Sequence, residues 1–327
     1  MKRILWLLTG GTFSCVPSDS GLAPASSDTQ AREILLSLPS LTEKYDIVPK
    51  VLMNIDSTDM TPERLRTIAE TADGSVGSYD GIVITHGTDS MAYTAAALSV
   101  MLSCVPVPIV LTGSQRPFFA DNSDARRNFA DALAVAADSR FCCVSVVFNG
   151  RIFLGSDCTK TDSVCLDAFS AKAKQLGAVD NEVPRLISPE ILPCGKYTFD
   201  ASLCKYGDKI AVLPVHPYFD ASVIPLLISS GIRGFVIICY GAGGIPCKIT
   251  EELGKAVYKG VVAIAVSQCL HGGVDMGIYA VGTKAQKAGI ISGGNMTVEY
   301  AAAVLADMLA HGRTEAESST DNGLHNA

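Results

Sequence analysis

The sequence predicts an α/β protein in which a large, doubly wound, three-layer domain is followed by a smaller α/β domain. Short apolar runs alternate with helical patterns along most of the chain, which is the order of a parallel sheet covered by helices. The apolar runs are continuous, as expected for strands that are buried on both faces. The length of 327 residues, about twice a typical ~150-residue domain, agrees with this division.

Five apolar runs define the strands of the larger domain, and four helical patterns lie between them. The predicted strands cover 4–9, 47–54, 81–85, 108–111 and 143–148, and the predicted helices cover about 28–38, 61–76, 89–103 and 123–138. The second helix begins with a capping threonine, a proline at its first position and an acid in its first turn. These residue types are the usual signals of a helix start.

An interruption of this rhythm sets the predicted domain boundaries. Prolines and glycines are frequent over 181–209, which we predict to be a linker between a domain at 1–180 and a domain at 210–312. A polar segment without periodicity, 313–327, is predicted to be a disordered tail. In the smaller domain we expect strands near 210–215, 234–239 and 261–266, and helices near 220–230, 249–258, 277–288 and 297–311.

Composition excludes several classes of function. A net charge of −7 argues against nucleic acid or an anionic membrane surface as a partner, because both select clustered Lys and Arg. A hydrophobic fraction of 48% excludes disorder as the main state. No uninterrupted apolar stretch is long enough to span a membrane, and the apolar run after Lys2 and Arg3 is too short for an export signal.

The eleven cysteines show no zinc-site spacing, and several lie inside apolar runs. We therefore expect a reduced, cytoplasmic protein without a metal, and a redox-sensing thiol is the alternative. The charged fraction of only 18% also leads us to expect apolar surface that is buried between subunits.

Hydroxyl groups follow three of the predicted strands, at the sheet edge where open α/β folds bind ligands. The segments are Thr9-Gly10-Gly11-Thr12, Asn54-Ile55-Asp56-Ser57-Thr58-Asp59 and Thr85-His86-Gly87-Thr88-Asp89-Ser90. Each also has a plainer explanation, namely a strand-to-loop turn, turn chemistry, or capping of the next helix by Asp89 or Ser90. His86 is either a general base or a structural residue, and Lys160 is either a reactive amine or a solvated one.

A threonine nucleophile needs activation, which a lysine paired with a carboxylate can supply. The sequence shows neither a metal-ligand cluster nor a Ser-His-Asp order. The residues alone therefore leave two classes open: a hydrolase with a hydroxyl nucleophile, or a protein that binds a small polar ligand.

Five segments, in order and with compatible spacing, resemble the asparaginase/glutaminase family, most closely its cytoplasmic type I branch. They are TGGT (9–12), HGTDSMAYTAAALS (86–99), LTGSQRP (111–117), DARRNFADAL (124–133) and GGNMTVE (293–299). The resemblance extends over about residues 3–311. The fold that we expect is accordingly a larger, N-terminal, flavodoxin-like domain and a smaller C-terminal α/β domain.

The resemblance implies hydrolysis of L-asparagine to L-aspartate and ammonia by double displacement, without a metal or an organic cofactor. Thr12 is then the nucleophile that forms a β-acyl-enzyme. Thr88, Lys160 and Asp89 form a second triad for proton transfer or water activation. Either threonine is open as the first to attack, and we favour Thr12.

The resemblance also assigns residues to the substrate. Ser57 and Thr58 match the loop that holds the α-carboxylate, and Asp89 is expected to receive the α-ammonium group. The backbone at Gly87, near a helix N-terminus, suits a developing oxyanion, and Gly11 is expected in the same pocket.

Family members form homo-oligomers, so we expect a dimer or a tetramer, with Tyr279 as a residue that a neighbouring subunit contributes or as a purely structural one. Two positions depart from the family pattern: Leu22 stands where many members have a loop tyrosine, and Asp157 stands where a basic residue is common. A regulatory asparagine site near Thr159 and Tyr240 is a further hypothesis.

Three alternatives to an L-asparaginase remain open from the sequence. The same fold can act on glutamine or D-asparagine, or it can serve as the amidase subunit of a tRNA-dependent amidotransferase. The last role is disfavoured by the acidic charge and by the expected absence of an extra N-terminal domain. A non-catalytic asparagine sensor would need a lost triad, whereas all four residues are present.

Overall fold

The computed structural model describes residues 1–19 and 21–313. The chain divides into two compact units, Met1–Phe199 and Asp200–Ala327. The first is built on a mixed, mainly parallel sheet and the second on a parallel sheet, each with helices. The predicted α/β fold with a smaller C-terminal part is thus confirmed. Within the described residues, no helix combines the length and the apolar character that crossing a membrane requires.

The first unit contains the longer run of elements. Its strands are β1 (Lys2–Gly10), β2 (Cys15–Ser18), β3 (Gly21–Pro24), β4 (Tyr45–Ile55), β5 (Gly81–Thr85), β6 (Leu102–Ser103), β7 (Ile109–Thr112), β8 (Val144–Phe148), β9 (Arg151–Leu154), β10 (Cys158–Lys160), β11 (Phe169–Ala171), β12 (Gly177–Asp180), β13 (Val183–Leu186) and β14 (Thr198–Phe199). Its helices are α1 (Asp28–Leu36), α2 (Pro39–Lys44), α3 (Pro62–Asp73), α4 (Met91–Met101) and α5 (Ala125–Ala136).

The central sheet has the strand order β13-β12-β9-β8-β7-β5-β1-β4. Five neighbours, β8 to β4, are parallel, and numbering them along the chain gives the order 2-1-3-4-5 of flavodoxin-like domains. The topological switch point lies between β1 and β5, which is where such sheets bind ligands. The loops after these two strands carry Thr12 and Thr88.

Helices pack on both faces of this sheet. Alternate residues of β1, including Trp6 and Leu8, join α1 and α5 in one buried cluster with Phe129. Helix α4 packs against α3 and β8 and is buried around most of its circumference, as its apolar sequence predicts. The result is the three-layer arrangement expected from the continuous apolar strands.

The second unit has a four-stranded parallel sheet in the order β15-β16-β17-β18. Helix α9 packs on one face, and α6, α7 and α8 contribute to the cluster on the other. The strands are β15 (Ile210–Pro214), β16 (Gly234–Cys239), β17 (Val262–Ser267) and β18 (Ile291–Ser292), and the helices are α6 (Val223–Ser229), α7 (Cys247–Tyr258), α8 (Ala280–Lys287) and α9 (Val298–Ala310).

Several short strands were not predicted from the sequence. They are the hairpin β2–β3, the antiparallel strands β9, β12 and β13 that extend the main sheet, the pair β6–β14, the pair β10–β11, and the edge strand β18 of the second unit, described above. Segments of two to four residues are too short to show a periodic pattern. The boundaries at 180 and 210 stay a prediction; the segment 181–209 holds β13, β14 and 3₁₀ turns, and the predicted tail lies outside the described residues from 314 onward.

Candidate active site

The loops after β1, β4 and β5 meet through glycine backbones. A Cβ atom on Gly11 would overlap the backbone of Gly87, and a Cβ on Gly87 would lie 2.5 Å from the Ser57 Oγ atom. Gly11 also has a φ of 74°, which side chains with a Cβ rarely adopt. The absence of two side chains therefore lets three loops approach closely and brings Thr12 and Thr88 to the same sheet edge.

The backbone of Thr12 is fixed by its neighbours. Thr12 begins a 3₁₀ turn, Thr12–Ser14, and the next residue, Phe13, is fully buried. The Phe13 ring packs at 5.4 Å from Phe118 and 5.7 Å from Phe129, and its carbonyl oxygen accepts a hydrogen bond from the Phe118 N–H. This aromatic cluster holds the half-buried Thr12 at the surface of the core.

The carbonyl oxygen of Ser14 closes this segment by accepting two hydrogen bonds. One comes from the Gln30 Nε2 atom at 2.8 Å and the other from the Ala25 N–H at 3.1 Å. We call these two hydrogen bonds to the Ser14 carbonyl oxygen the clamp at Ser14. The hairpin β2–β3, which includes the exposed Leu22, therefore begins and ends beside this clamp.

Thr88, Lys160 and Asp89 form a continuous hydrogen-bonded chain. The Lys160 Nζ atom donates to the Thr88 Oγ1 atom at 2.8 Å and to the Asp89 Oδ1 atom at 2.7 Å. Thr88 is buried, whereas the Asp89 side chain is 63% exposed. One ammonium group thus polarises a buried hydroxyl, while the carboxylate on its other side faces solvent and can receive a cation.

The predicted capping role of this segment is not observed. Helix α4 begins at Met91 after Ser90, and the Ser90 hydroxyl does not cap the helix but donates to the Ser57 carbonyl oxygen at 2.5 Å. Asp89 binds Lys160 instead. The segment thus connects the loops after β4 and β5 rather than serving the helix end alone.

Gln115 is a site residue that was not predicted from the sequence. Its Oε1 atom accepts a hydrogen bond from the Thr88 hydroxyl at 3.4 Å, so Thr88 has one donor, Lys160, and one acceptor, Gln115. The Asp124 carboxylate accepts the backbone N–H groups of Gln115 and Arg116 at 2.9 and 3.0 Å, and Asn128 donates to Asp124. Gln115 and its supports belong to the segments 111–117 and 124–133, which could have identified them.

His86 is a structural residue and not a base. It is fully buried, its Nδ1 atom lies 2.7 Å from the Gly87 carbonyl oxygen, and its Nε2 atom lies 3.0 Å from the Thr94 hydroxyl. A carbonyl oxygen can only accept, so Nδ1 carries the proton and Nε2 accepts from Thr94. Burial lowers the pKa of His86 to about 4, which keeps the ring neutral at pH 7. His86 therefore orients the Gly87 peptide beside Thr88.

The loop after β4 presents Ser57 and Thr58 in different ways. Ser57 is buried against Gly87, whereas Thr58 is exposed and its hydroxyl donates to the Asp56 carboxylate at 2.8 Å. The hydrogen bonds from the Thr58 N–H and hydroxyl hold the pKa of Asp56 below its usual range. The expected turn chemistry is present, and Ser57 lies beside the threonine site at the same time.

The other residues singled out from the sequence lie elsewhere or have other partners. The Asp157 carboxylate accepts the N–H groups of Ala173 and Lys174 at 3.0 Å and stabilises the loop after β11. Burial raises the pKa of Asp157. Tyr279 belongs to the second unit, where its side chain is 63% exposed at the start of α8.

One cluster of possible metal ligands occurs in the described part of the second unit, formed by Asp200, Asp307 and His311. His311 lies 3.0 Å from Asp200 and 3.2 Å from Asp307, and Arg313 pairs with Asp307. Each of the two carboxylates thus already has a partner among the neighbouring side chains. All eleven cysteines are free thiols.

Comparison with known proteins gives matches that cover both units. The family described as "Asparaginase, N-terminal" matches residues 3–191, and the "Glutaminase/Asparaginase C-terminal domain" matches residues 209–320. L-asparaginase 1 of Escherichia coli (strain K12) is 35% identical over 305 residues, which cover 91% of this chain and 89% of that protein. One of the subunits of the glutamyl-tRNA(Gln) amidotransferase of Pyrococcus furiosus is 34% identical over 332 residues, covering 95% of this chain and 73% of that protein.

Solved structures show the same fold. The thermostable L-asparaginase from Thermococcus kodakarensis superposes with a TM-score of 0.85 at 32% identity, covering 94% of this chain and 93% of that one. A probable cytoplasmic L-asparaginase from Campylobacter jejuni gives a TM-score of 0.79 at 26% identity, covering 93% and 94%. With both family domains matched and relatives above 30% identity along most of its length, the chain belongs to the asparaginase/glutaminase family.

Proposed function

We propose that this protein is an L-asparaginase that hydrolyses L-asparagine to L-aspartate and ammonia. The observation that carries the proposal is the hydrogen-bonded chain Thr88–Lys160–Asp89, which lies beside the Thr12 loop because Gly11 and Gly87 are in contact. Two hydroxyls, an ammonium group and an exposed carboxylate at one sheet edge suit acyl transfer from a zwitterionic amide.

In the proposed reaction, the Thr12 Oγ atom attacks the side-chain amide carbon of the substrate. The C–N bond breaks, and ammonia leaves after taking up the hydroxyl proton. A water molecule then cleaves the resulting β-aspartyl ester, which releases L-aspartate and returns the proton to Thr12. The two steps use the chain's own groups, and we propose that they need no metal or organic cofactor.

The second triad supports proton transfer in both steps. Lys160 donates a hydrogen bond to the Thr88 oxygen, and Gln115 accepts a hydrogen bond from the Thr88 hydroxyl, so that the hydroxyl has a defined orientation. We assign the oxyanion to backbone N–H groups near Gly87, whose peptide is oriented by His86.

Substrate recognition uses charges at the same edge. The exposed Asp89 carboxylate receives the α-ammonium group, and Ser57 and Thr58 bind the α-carboxylate and its neighbours. Gly11 and Gly87 contribute by letting these loops approach each other closely. Because Thr58 is held by Asp56, its contribution is expected to be smaller than that of Ser57.

We further propose that the protein is cytoplasmic and acts as a homo-oligomer, a dimer or a tetramer, to which Tyr279 contributes from a neighbouring subunit. The free cysteines and the exposed aromatic side chain of Tyr279 support this proposal. An asparagine-binding regulatory site near Thr159 and Tyr240 would give sigmoidal kinetics, and hyperbolic kinetics over the whole range would exclude it.

The decisive experiment measures ammonia release by the purified protein from L-asparagine, L-glutamine and D-asparagine over a concentration series. We expect kcat/KM to be highest for L-asparagine. A higher value for L-glutamine or D-asparagine would transfer the proposal to that substrate. Tight binding of L-asparagine without ammonia release would identify a sensor instead.

A further inference from the structure

A buried side chain, Gln30, ties the 3₁₀ turn Thr12–Ser14 to helix α1. The turn is closed from within, because the Gly11 carbonyl oxygen accepts hydrogen bonds from the Ser14 N–H at 3.1 Å and from the Ser14 Oγ atom at 3.2 Å. At its first end, the Gly11 N–H donates to the Ile55 carbonyl oxygen of β4 at 2.9 Å. At its other end, the Ser14 carbonyl oxygen accepts from the Gln30 Nε2 atom at 2.8 Å. Thr12 therefore lies between an anchor on the sheet and an anchor on α1.

The local sequence predicts a different role for Gln30. Ser27-Asp28-Thr29-Gln30 has the pattern of a capping box, in which the glutamine side chain returns to the N–H of the capping serine. Half of this pattern is observed, since the Ser27 side chain accepts a hydrogen bond from the Gln30 N–H at 3.1 Å. The Gln30 amide instead reaches Ser14, which lies 16 residues earlier in the chain. Ser27 thus caps α1 without help, and the Gln30 side chain serves the turn that contains Thr12.

This orientation leaves one polar atom of Gln30 unsatisfied. Gln30 is 7% exposed, and its Oε1 atom has no hydrogen-bond donor among the residues that the structure describes. A buried amide oxygen without a donor is costly, and such departures from a local rule are expected at functional sites. The Ser14 carbonyl oxygen already has the Ala25 N–H as a donor, so it does not need Gln30 for its own satisfaction.

Helix α1 gives this contact a firm support. Its residues Ala31 and Ile34 are fully buried and belong to the same apolar cluster as Phe13, the residue after Thr12. The hydrogen bond from Gln30 therefore joins two segments that both rest on one core. It fixes the peptide at the end of the turn, which the packing of Phe13 alone does not reach.

We propose that Gln30 is a positioning residue for the nucleophile, an inference that rests on the role of Thr12 in the proposed function. Gln30 does not touch the substrate. By holding the Ser14 carbonyl oxygen, it keeps the turn closed and the Thr12 hydroxyl within reach of the substrate's amide carbon. A displacement of about 1 Å at a reacting atom lowers a rate by about 10²-fold, so one buried hydrogen bond is sufficient for this role.

The test is Gln30→Met, which keeps the length of the side chain and removes the amide. The change removes the unpartnered Oε1 atom together with the Nε2 donor, and Ala25 still donates to Ser14. We therefore expect the Tm to stay within about 3 °C of the parent value. The kcat for L-asparagine should fall about 10–100-fold, with a change in KM of less than about threefold.

Gln175→Met is the matched control. The Gln175 Nε2 atom also donates to a backbone carbonyl oxygen, that of Gly177 at 2.6 Å, and its Oε1 atom accepts from Arg151 of β9. Three strands, β8, β7 and β5, separate β9 from β1 in the sheet. This variant loses the same kind of hydrogen bond far from the turn, and it should keep the kcat of the parent.

Gln30→Glu supplies a conservative rescue. A carboxyl group in this place donates to the Ser14 carbonyl oxygen only when it is protonated, and burial favours the protonated form. The kcat of Gln30→Glu relative to the parent should therefore rise as the pH is lowered from about 8 to about 6. Loss of packing alone would give a ratio that does not change with pH.

Amide hydrogen exchange supplies a readout that does not depend on the reaction. A peptide that covers Thr12–Ser14 should exchange at least about tenfold faster in Gln30→Met than in the parent or in Gln175→Met. If the parent does not release ammonia from L-asparagine, the proposed function fails, and the exchange rates still decide whether Gln30 holds the turn. A kcat in Gln30→Met equal to that of the parent, unchanged exchange, or equal losses of kcat in Gln30→Met and Gln175→Met would overturn the proposal.

Discussion

The two threonines at the sheet edge are held in opposite ways. Thr88 is buried and fixed by side-chain hydrogen bonds, with Lys160 on one side and Gln115 on the other. Thr12 is half-buried and fixed through its backbone, because the neighbouring Phe13 is anchored in an aromatic cluster. The orientation of the Thr88 hydroxyl is therefore set by charged and polar side chains. The position of Thr12 is set by the packing of its neighbours.

The largest expected effect is the loss of kcat when either threonine is replaced, and the site of acylation tells the two threonines apart. Thr12→Ala and Thr88→Ala should each lower kcat for L-asparagine by about 10⁴-fold, because an acyl-transfer enzyme loses most of its rate with either member of a catalytic unit. Acid quenching followed by peptide mass spectrometry should locate the acyl group on the peptide that contains Thr12. An acyl group on the Thr88 peptide would reverse the assignment.

Removing the cation tests the electrostatic half of the comparison. Lys160→Met should lower kcat by about 10²–10⁴-fold with a smaller change in KM, because Thr88 loses the ammonium group that donates to its oxygen. Lys209→Met, which breaks an exposed pair with Asp208 in the second unit, serves as a control that should keep full activity. Equal activity of Lys160→Met and the parent would show that Thr88 works without this lysine.

The backbone position of Thr12 depends on Gly11, the residue before it. Gly11→Ala should lower kcat by about 10²-fold, because the added Cβ overlaps Gly87 and displaces Thr12. Gly77→Ala is the matched control: Gly77 has a similar φ of 86° and no atom near the position of the added Cβ. Gly77→Ala should lose about 1 kcal/mol of stability from backbone strain and keep its kcat, whereas Gly11→Ala should lose more stability because its Cβ also overlaps backbone atoms. A normal kcat in Gly11→Ala would show that close contact is not needed.

The smallest effect concerns stability rather than rate. The folded-state pKa of His86 is about 4, below its ordinary value, so the unfolded chain binds an additional proton between about pH 6.5 and pH 4. The free energy of unfolding should therefore fall on acidification through this range, by about 2 kcal/mol between pH 7 and pH 5 from this residue. Urea unfolding at both pH values, with His86→Asn, measures the contribution as the difference between the two proteins. An identical pH dependence in His86→Asn would contradict it.

The sequence predicted those strands and helices that are long enough to show a hydrophobic pattern. The five parallel strands and four of the helices between them lie within a few residues of their predicted bounds, because buried strands form continuous apolar runs and the helices are long enough to show a pattern. The short helix α2 was not predicted. The short antiparallel strands were missed, among them β10, which carries Lys160. A three-residue strand has no periodicity, so Lys160 looked like one polar residue among many.

The same distinction holds for the site. Thr12 and Thr88 follow predicted strands, and their proximity could be inferred from the sheet topology. The contact between Gly11 and Gly87, the link from Ser90 to Ser57 and the role of Gln115 depend on three-dimensional packing between distant segments. No local pattern encodes such contacts, although the five family motifs contain every one of these residues except Ser57.

The clamp at Ser14 has a consequence for how the chain can vary. Because its carbonyl oxygen accepts hydrogen bonds from Gln30 and Ala25, the segment that leaves Ser14 as β2 and returns as β3 has both ends at one point, directly after the 3₁₀ turn that begins at Thr12. Insertions or exchanges within β2 and β3 therefore change the length of that loop without shifting its anchor. We therefore expect the hairpin to accept changes of sequence and length while the backbone of Thr12 keeps its position.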